Sequence, residues 1–510
     1  MTRWSLGGIL LALLVFHAAS GELVAQTSLW GRTGEKWDPK GPLPDFSFAG
    51  YQRSEQPIPE RTPTVSVTDY GAQPGIDATK AFQEAIEKNP GQCIGVPAGR
   101  FVLSDRLRIQ TAGTVLQGEG SRQTTLFFTR SLQEIEPTQT QTGGGQATTK
   151  YSWSGGLITV GGWGVASAKK QPISGTAERG DTEVQVANLQ DVQVGDDVQL
   201  KMTDDDAGSL TDYLYRGDSG DDKTVRGKLS IVQVARVTAV SGDRVTLDRP
   251  LRADINPRWQ PTLTKFQPRT QNSGLEGVSI EFPVTPYGGH FKEVGFNGID
   301  LIGTNNWVRD VEILNCDSGI FIHGQFHTVT DVTIRSDRQP DREGRTGHHG
   351  FTAAGQDCLV TKFRIRTRFI HDVTVTRGSV GNVFSEGNGV DLCFDFHREA
   401  PYENLFTQIS LGKASRPWNS GGTRGKGRHA GTGNVFWNID SRTKITPPKP
   451  DFGPAGLLFV GLNAYDGGVK KPVTLPNGWY YEPQTPGRFA PANLHQAQVE
   501  RRLKSVSPRD

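Results

Sequence analysis

Hydrophobic and polar residues alternate along several short stretches of this chain. In "GVDLCFDFHREAPYENLF", residues 389–406, steps of two put Asp391, Cys393, Asp395 and His397 on one side and Leu392, Phe394 and Phe396 on the other. In "TKFRIRTRF", residues 361–369, Lys362, Arg364, Arg366 and Arg368 share one face, and Phe363, Ile365, Thr367 and Phe369 share the opposite one. A strand alternates its faces with a period of two, so each stretch predicts a strand with one oily and one ionisable face. A longer-range pattern overlies this one. "GLEGVSI" at 274, "WVRDVEI" at 307, "TVTDVTI" at 328 and "FIHDVTV" at 369 share apolar residues at their second, fifth and seventh positions, with spacings of 33, 21 and 41 residues. A period in the low twenties, the last spacing being close to two turns, is that of stacked β-helix rungs. Helix–strand units would need long amphipathic helices between the strands, and the pattern contains none.

The rest of the chain divides around this repeat. Residues 1–20 carry Arg3 and the apolar run "WSLGGILLALLVFHAA" before the small residues "AASGE", which reads as an export signal, with an uncleaved anchor as the alternative. Residues 21–62 are Pro- and Gly-rich and predict an extended arm. From 63 to 167 come a short helix capped by Asp77, with Ala81, Phe82, Ala85 and Ile86 on one face, and then short strands. Between 168 and 257, "GDTEVQVANLQDVQVGDDVQLKM" and "IVQVARVTAVSGDRVTLDRPL" alternate as strands joined by hairpins such as "VSGDRV", which predicts a small antiparallel β insertion. Residues 258–440 hold the central and C-terminal coils. Residues 441–510 form a Pro-rich tail ending in the short helix "PANLHQAQVERRL".

The segment 65–120, with "DYGA", "AFQEAI", "VPAGRFVLS" and "LQGEG", resembles the N-terminal opening of the pectate-lyase-like superfamily of right-handed parallel β-helices. The resemblance covers about 60 residues. It implies an all-β fold, a right-handed parallel β-helix whose short helix closes the open end of the solenoid. Many activities share this opening, so it does not specify the chemistry. The polygalacturonase branch carries "NTD", "DD", "GHG" and "RIK" in order. Here "GHHG" at 347 and "RIR" at 364 are present without the "NTD" or the catalytic "DD" ahead of them, so no residue role carries over from that branch. The calcium-dependent pectate lyase pattern is not recognisable either.

Composition narrows the function classes. Charged residues are 22% of 510, and the net charge of +2 is too balanced for a general nucleic-acid binder. With no further apolar run long enough to span a bilayer, the mature chain is expected to be secreted or periplasmic, with no stable membrane span. Four cysteines, Cys93, Cys316, Cys358 and Cys393, form no CxxC and are expected to be buried free thiols. The acidic stretch "TDDDAGSLTDYLYRGDSGDDKTV" fits a solvated loop. Its alternative, a Ca2+ loop, lacks the ligand spacing and closing glutamate of an EF-hand, and no other cofactor or metal is expected.

The chemistry concentrates late in the chain. Eight of ten histidines, from His290 to His429, lie in about a quarter of the sequence. The Lys/Arg row of 362–368 lies 29 residues before the Asp/His row, roughly one coil, and coils stack about 4.8 Å apart. The two rows are therefore expected as neighbours on one outer wall, either as a charge-neutralising ladder or as a ladder that is also a polymer groove. His349, His397, Asp391, Asp395, Arg364 and Arg366 are the catalytic candidates. Lys362, His348, Arg398, Arg416, Trp418, Arg428 and His429 are the substrate-binding ones, the last four in or beside the Gly-rich loop 412–431. Strand parity allows only one of His348 and His349 to face a substrate. An acidic extracellular polysaccharide cleaved by β-elimination needs a cation for the uronate, a base and an acid, and this residue set contains them. Hydrolysis needs two carboxylates about 5–9.5 Å apart, whereas positions four apart on a strand lie about 13 Å apart. A non-catalytic glycan-binding solenoid is the third reading.

Overall fold

The computed structural model describes residues 25–166, 168–463 and 471–506. The export-signal reading of 1–20 lies outside the described residues. Two parallel walls enclose one core. The first wall stacks Gly274–Glu281, Trp307–Leu314, Thr328–Arg335, Leu359–Thr361, Val383–Ser385, Leu405–Ser410, Val435–Asp440, Leu458–Leu462 and Tyr480–Glu482. The second stacks Leu107–Ile109, Ile158–Val160, Asn297–Leu301, Ser318–Ile322, Gly347–Ala353, Phe369–Val375 and Phe394–Phe396. Every pairing in these two stacks is parallel, and the chain is an all-β parallel β-helix. Residues in register fill the core as columns. Phe384, Phe406, Phe436 and Phe459 stack ring on ring at 5.3, 5.3 and 5.1 Å.

The seven-residue repeat has a physical cause at its fourth position. Gly277, Asp310, Asp331, Lys362, Glu386, Gln408, Asn438 and Gly461 all have φ between 50° and 68°, a column of left-handed residues that bends each coil of the first wall. A second left-handed column turns the corner into that wall: Asn272, Asn305, Phe326, Asp357, Gly381, Glu403 and Gly433. The residue after each of these points inward, and the side chains form a buried ladder. The Ser273 amide donates to Asn306 Oδ1 at 2.8 Å, that of Asn306 to His327 Nδ1 at 3.1 Å, that of Cys358 to Asn382 and that of Asn382 to Asn404. A ladder satisfies backbone groups that the corner would otherwise bury unpaired.

Two expectations need correction here. "FIHDVTV" at 369 is not the fourth rung of the first wall. It belongs to the second wall, beside Gly347–Ala353. Its fourth residue, Asp372, is not left-handed, and its buried carboxylate accepts from the amides of Phe369 and Cys393. The first-wall rung is "LVTKFRI", whose Arg364 stacks on Asn388. The arm at 21–62 is also more than a linker. Trp30, Leu43 and Phe46 bury against Val383, Leu405, Val435 and Leu458 together with Leu494 of the terminal helix Leu494–Val506.

The helix Thr79–Lys88 closes the N-terminal end of the core with Phe82, Ala85 and Ile86, and Asp77 accepts from the Thr79 amide. The insertion is a closed six-stranded antiparallel barrel. Its last strand, Thr262–Lys265, lies beyond the boundary at 257 drawn from the sequence. It docks through buried ion pairs to the corner column, Arg249 to Asp357 at 2.7 Å and Arg252 to Asp357 and Glu403. The acidic stretch is not a free loop: it contains the helix Ser209–Leu214, and its carboxylates pair with Arg226, Arg258 and Arg428. All four cysteines are buried and free. Among the described residues no helix is long and apolar enough to cross a membrane.

Candidate active site

The outer face of the second wall gathers the histidines. In register along it run Asp300, Phe321, Thr352, Thr374 and Asp395, and beside that column His349 lies over His371. His397 follows directly after the last strand. Its Nδ1 is 2.9 Å from Asp395 Oδ2, and His371 Nδ1 is 3.4 Å from the same oxygen. Asp395 also accepts from Thr374 Oγ1 at 2.9 Å and from the Gly421 amide at 2.6 Å. Burial opposes ionisation of Asp395, but His371, His397 and the Gly421 amide outweigh it and hold the carboxyl well below its usual range. On the neighbouring side, Glu293 takes hydrogen bonds from Tyr287 at 2.6 Å and Ser152 at 2.8 Å and lies 3.4 Å from His348 Nδ1. Burial again opposes its ionisation, and His348 and Tyr287 lower its pKa to about 2.

Both rings of "GHHG" join this cluster, which corrects the parity expectation. The His348 and His349 centroids are 4.0 Å apart, and both lie within 6 Å of His371. The strand ladders skip Gly298, Gly319 and Gly350, where a Cβ would meet the next coil's backbone at 2.4–2.6 Å. The chain is pinched at that glycine column, so residues before it lose the strand parity of those after it. His290, from the segment between the Pro283 bend and Glu293, adds a fifth ring at 4.7 Å from His348. Burial and then neighbouring imidazoles keep His290 down at about 4 and His349 and His371 well below 6.5, so these rings are neutral at neutral pH.

The loop 412–431 roofs this cluster. A Cβ on Gly421 would sit 2.5 Å from His397 Cε1 and 2.9 Å from His371 Cε1, so only glycine allows this approach. The loop is clamped by residues that the sequence offered as substrate contacts or catalysts, and these assignments are corrected. Asp391 accepts from the Ser415 amide and hydroxyl at 2.7 and 2.6 Å, which holds the loop and leaves it outside the histidine cluster. Arg416 is spent on Asp372 at 2.7 Å, the Cys393 sulfur and the Ile370 carbonyl. Trp418, partly buried, packs against the core on Phe394, Phe436 and Phe459. Arg428 pairs with Asp218 of the barrel. Arg398 and His429 stay beside the site. Arg398 donates to the Gly427 carbonyl and lies 3.2 Å from His429 Nε2, with no carboxylate ion pair among the described residues.

Three members of the Lys/Arg row lie elsewhere. Arg364 and Arg366 open into a groove of about 770 Å³ on the first wall, lined also by Arg122, Arg309, Asp310 and Asp331. Lys362 is exposed at a left-handed bend of that wall. The expected adjacency of the two rows holds only at Arg368, whose Nε lies 3.6 Å from Asp391 Oδ2, and otherwise fails because the chain leaves the first wall after Ile365 and starts the second at Phe369. Sequence reasoning passed over His290, His371 and Glu293. The spacing of 22 residues between His349 and His371, one coil, was the available signal. Farther along the second wall, burial raises Asp300 to about 7, 3.5 Å from His323, beside an exposed Trp163.

Stacked parallel coils closed by a capping helix define a parallel β-helix. More particularly, residues 64–222 match the family described as rhamnogalacturonase A/epimerase, pectate lyase-like, a span that ends before the first histidine of the cluster. No curated protein sequence matches the chain. Among solved structures, the tailspike protein gp49 of Pseudomonas phage LKA1 is similar at 13% identity and a TM-score of 0.47, over 78% of this chain and 61% of that one. The chain thus spans about three fifths of that tailspike's length. The A-module of a mannuronan C-5 epimerase from Azotobacter vinelandii is similar at 10% identity and 0.32, over 82% of this chain and 83% of the module. The catalytic unit of a GH87 α-1,3-glucanase from Streptomyces thermodiastaticus is similar at 14% and 0.30, over 79% and 56%.

Proposed function

We propose that this chain is an extracellular polysaccharide-active enzyme that cleaves an acidic, uronate-containing glycan by β-elimination on the outer face of the second wall. One observation carries the reading. The His397 ring is about one third exposed, and its Nδ1 is held at 2.9 Å by a fully buried, ionised Asp395. A histidine oriented in this way presents its other nitrogen as a general base, and a proton α to a uronate carboxylate is acidic enough for it. Arg398, without a carboxylate ion pair among the described residues, is the cation nearest in sequence to neutralise the uronate. The family match, with its rhamnogalacturonase and epimerase members, agrees with a glycan substrate.

Hydrolysis fits the same face less well. It needs one carboxyl kept protonated near a second that stays ionised. Asp395 and Glu293 are both held ionised. Burial raises two carboxyls on this wall: Asp372, which is taken up by Arg416 and by the Phe369 and Cys393 amides, and Asp300, which lies four coils of about 4.8 Å from Asp395, roughly 19 Å. That separation instead suits a binding trough running from Trp163 to His397.

Incubation with a panel of uronic-acid and neutral polysaccharides tests this, read for absorbance of an unsaturated product and for new reducing ends. A lyase yields both signals on a uronate polymer. Reducing ends alone would make the chain a hydrolase, and neither signal with retained binding would make it a glycan-binding solenoid.

A further inference from the structure

We propose that His290, His348 and His371 form a binding site for one divalent transition metal of the zinc class, on this chain's second wall. Their ligand nitrogens all lie within 4.8 Å of one another, and the ring centroids are 4.7, 5.6 and 6.4 Å apart, as for three imidazoles around a common centre. The surroundings are those of a metal site's outer ligand sphere. His348 Nδ1 faces the Glu293 carboxylate and His371 Nδ1 faces Asp395, each at 3.4 Å. A metal-binding histidine commonly turns one nitrogen to a carboxylate and the other to the ion, and the carboxylate fixes the ring and raises its basicity. Glu293 is itself fixed by Tyr287 and Ser152, and Asp395 by Thr374 and Gly421. Phe291 holds the third ligand in place: its φ of 66° is a left-handed conformation uncommon for an aromatic residue, and its ring stacks on His290 at 3.6 Å.

Three imidazole ligands select a borderline-soft ion over calcium or magnesium, which prefer oxygen ligands. The three histidines leave a fourth coordination position for water or a substrate oxygen.

The proposal does not rest on glycan cleavage, and it is tested without a glycan. The full chain, stripped with a chelator and dialysed, is titrated with zinc sulfate by calorimetry, with bound metal counted by elemental analysis. About one zinc per chain is expected, together with a rise in melting temperature, and calcium chloride should reproduce neither. His290→Ala, on a half-buried loop residue, should weaken binding at least tenfold, and Glu293→Gln should weaken it about 10- to 100-fold through its histidine. His323→Ala, outside the cluster, should retain it. Absence of stoichiometric zinc from the wild type, or binding untouched by both His290→Ala and His348→Ala, overturns the site. A chain inactive on every glycan but binding zinc through these residues would refute the enzymatic reading and leave the metal site standing.

Discussion

Two ionisable rows of one solenoid end in opposite surroundings. Arg364 and Arg366 stand exposed on the first wall, in an open groove with Arg122 and Asp331, and neither makes an ion pair among the described residues. Asp395, His371 and His349 on the second wall are at most 4% exposed. Both rows come from the same alternating strand grammar, so the strands do not account for the contrast. The connections do. The coil that runs from Thr328 to Leu359 and the one from Leu405 to Val435 are each longer than the neighbouring coils, and the second of them contributes the roof that lays Gly421 on His397 and His371. A polar face without a roof remains a solvated surface, whereas a roofed one becomes a set of neutral imidazoles and ionised carboxylates with fixed geometry.

The largest expected effect separates the rows by activity. His397→Ala should lower kcat/KM on the responsive polymer about 10²- to 10⁴-fold, the range of a lost general base, with the melting temperature little changed. Arg364→Ala should leave it within about threefold. A greater loss from Arg364→Ala than from His397→Ala would move the active groove to the first wall.

The next effect is on stability and concerns two look-alike heptads. Asp372 of "FIHDVTV" is buried with Arg416 at 2.7 Å. Asp372→Gly leaves that guanidinium buried without its partner, at a cost of about 3–5 kcal/mol by urea denaturation. Arg416 pairing and a non-left-handed backbone are what distinguish this heptad from a true first-wall rung, and neither is written in an apolar pattern at positions two, five and seven. This is why the coil architecture was legible in the sequence while the assignment of 369 to a wall was not. The same limit explains the site. Period-two alternation identified Asp395 and His397 as partners on one face. It misplaced His348 because a glycine column interrupts the ladder, and it missed His290 because no strand carries it. Trp418, read as a sugar platform from its Gly-rich context, packs against the core, since local composition does not reveal which way a roof loop faces.

A third prediction uses pH to compare the two kinds of buried histidine, ladder and site. His327, in the corner ladder, is lowered to about 4 by burial, as are His290, His323 and His495. For such a group the unfolded chain takes up a proton below about 6.5 and the folded chain does so only near 4. Stability is therefore complete above 6.5 and falls as the pH drops from 6.5 towards 4. Asp395 and Glu293, depressed carboxyls, extend the loss below the usual carboxylate range, as the folded state must then accept protons it disfavours. His327→Asn restores the side chain that Asn306, Asn382 and Asn404 supply in neighbouring coils. Unfolding free energies from urea denaturation should then match the wild type at pH 7.5 and exceed it at pH 4.5 by on the order of 2 kcal/mol. Equal acid sensitivity in the two proteins would mean that the ladder imidazole does not titrate as its burial implies.

The smallest effect sharpens the heptad comparison. Asp331, fourth in "TVTDVTI", has φ 54° in the column that Gly277 and Gly461 occupy in other coils. Glycine relieves the left-handed strain there but frees the unfolded chain, so Asp331→Gly should change stability by no more than about 0.5–1 kcal/mol in either direction. The residue change is the same as at Asp372, and the heptads share their apolar positions, so composition cannot produce a difference between the two variants. A gap of about 2 kcal/mol or more by urea denaturation would come from backbone conformation and from the buried partners of Asp372, Arg416 and the Phe369 and Cys393 amides. Equal losses would require Asp331 to hold a buried partner as Asp372 does, yet the hydrogen bond to its side chain is from the hydroxyl of its neighbour Thr330.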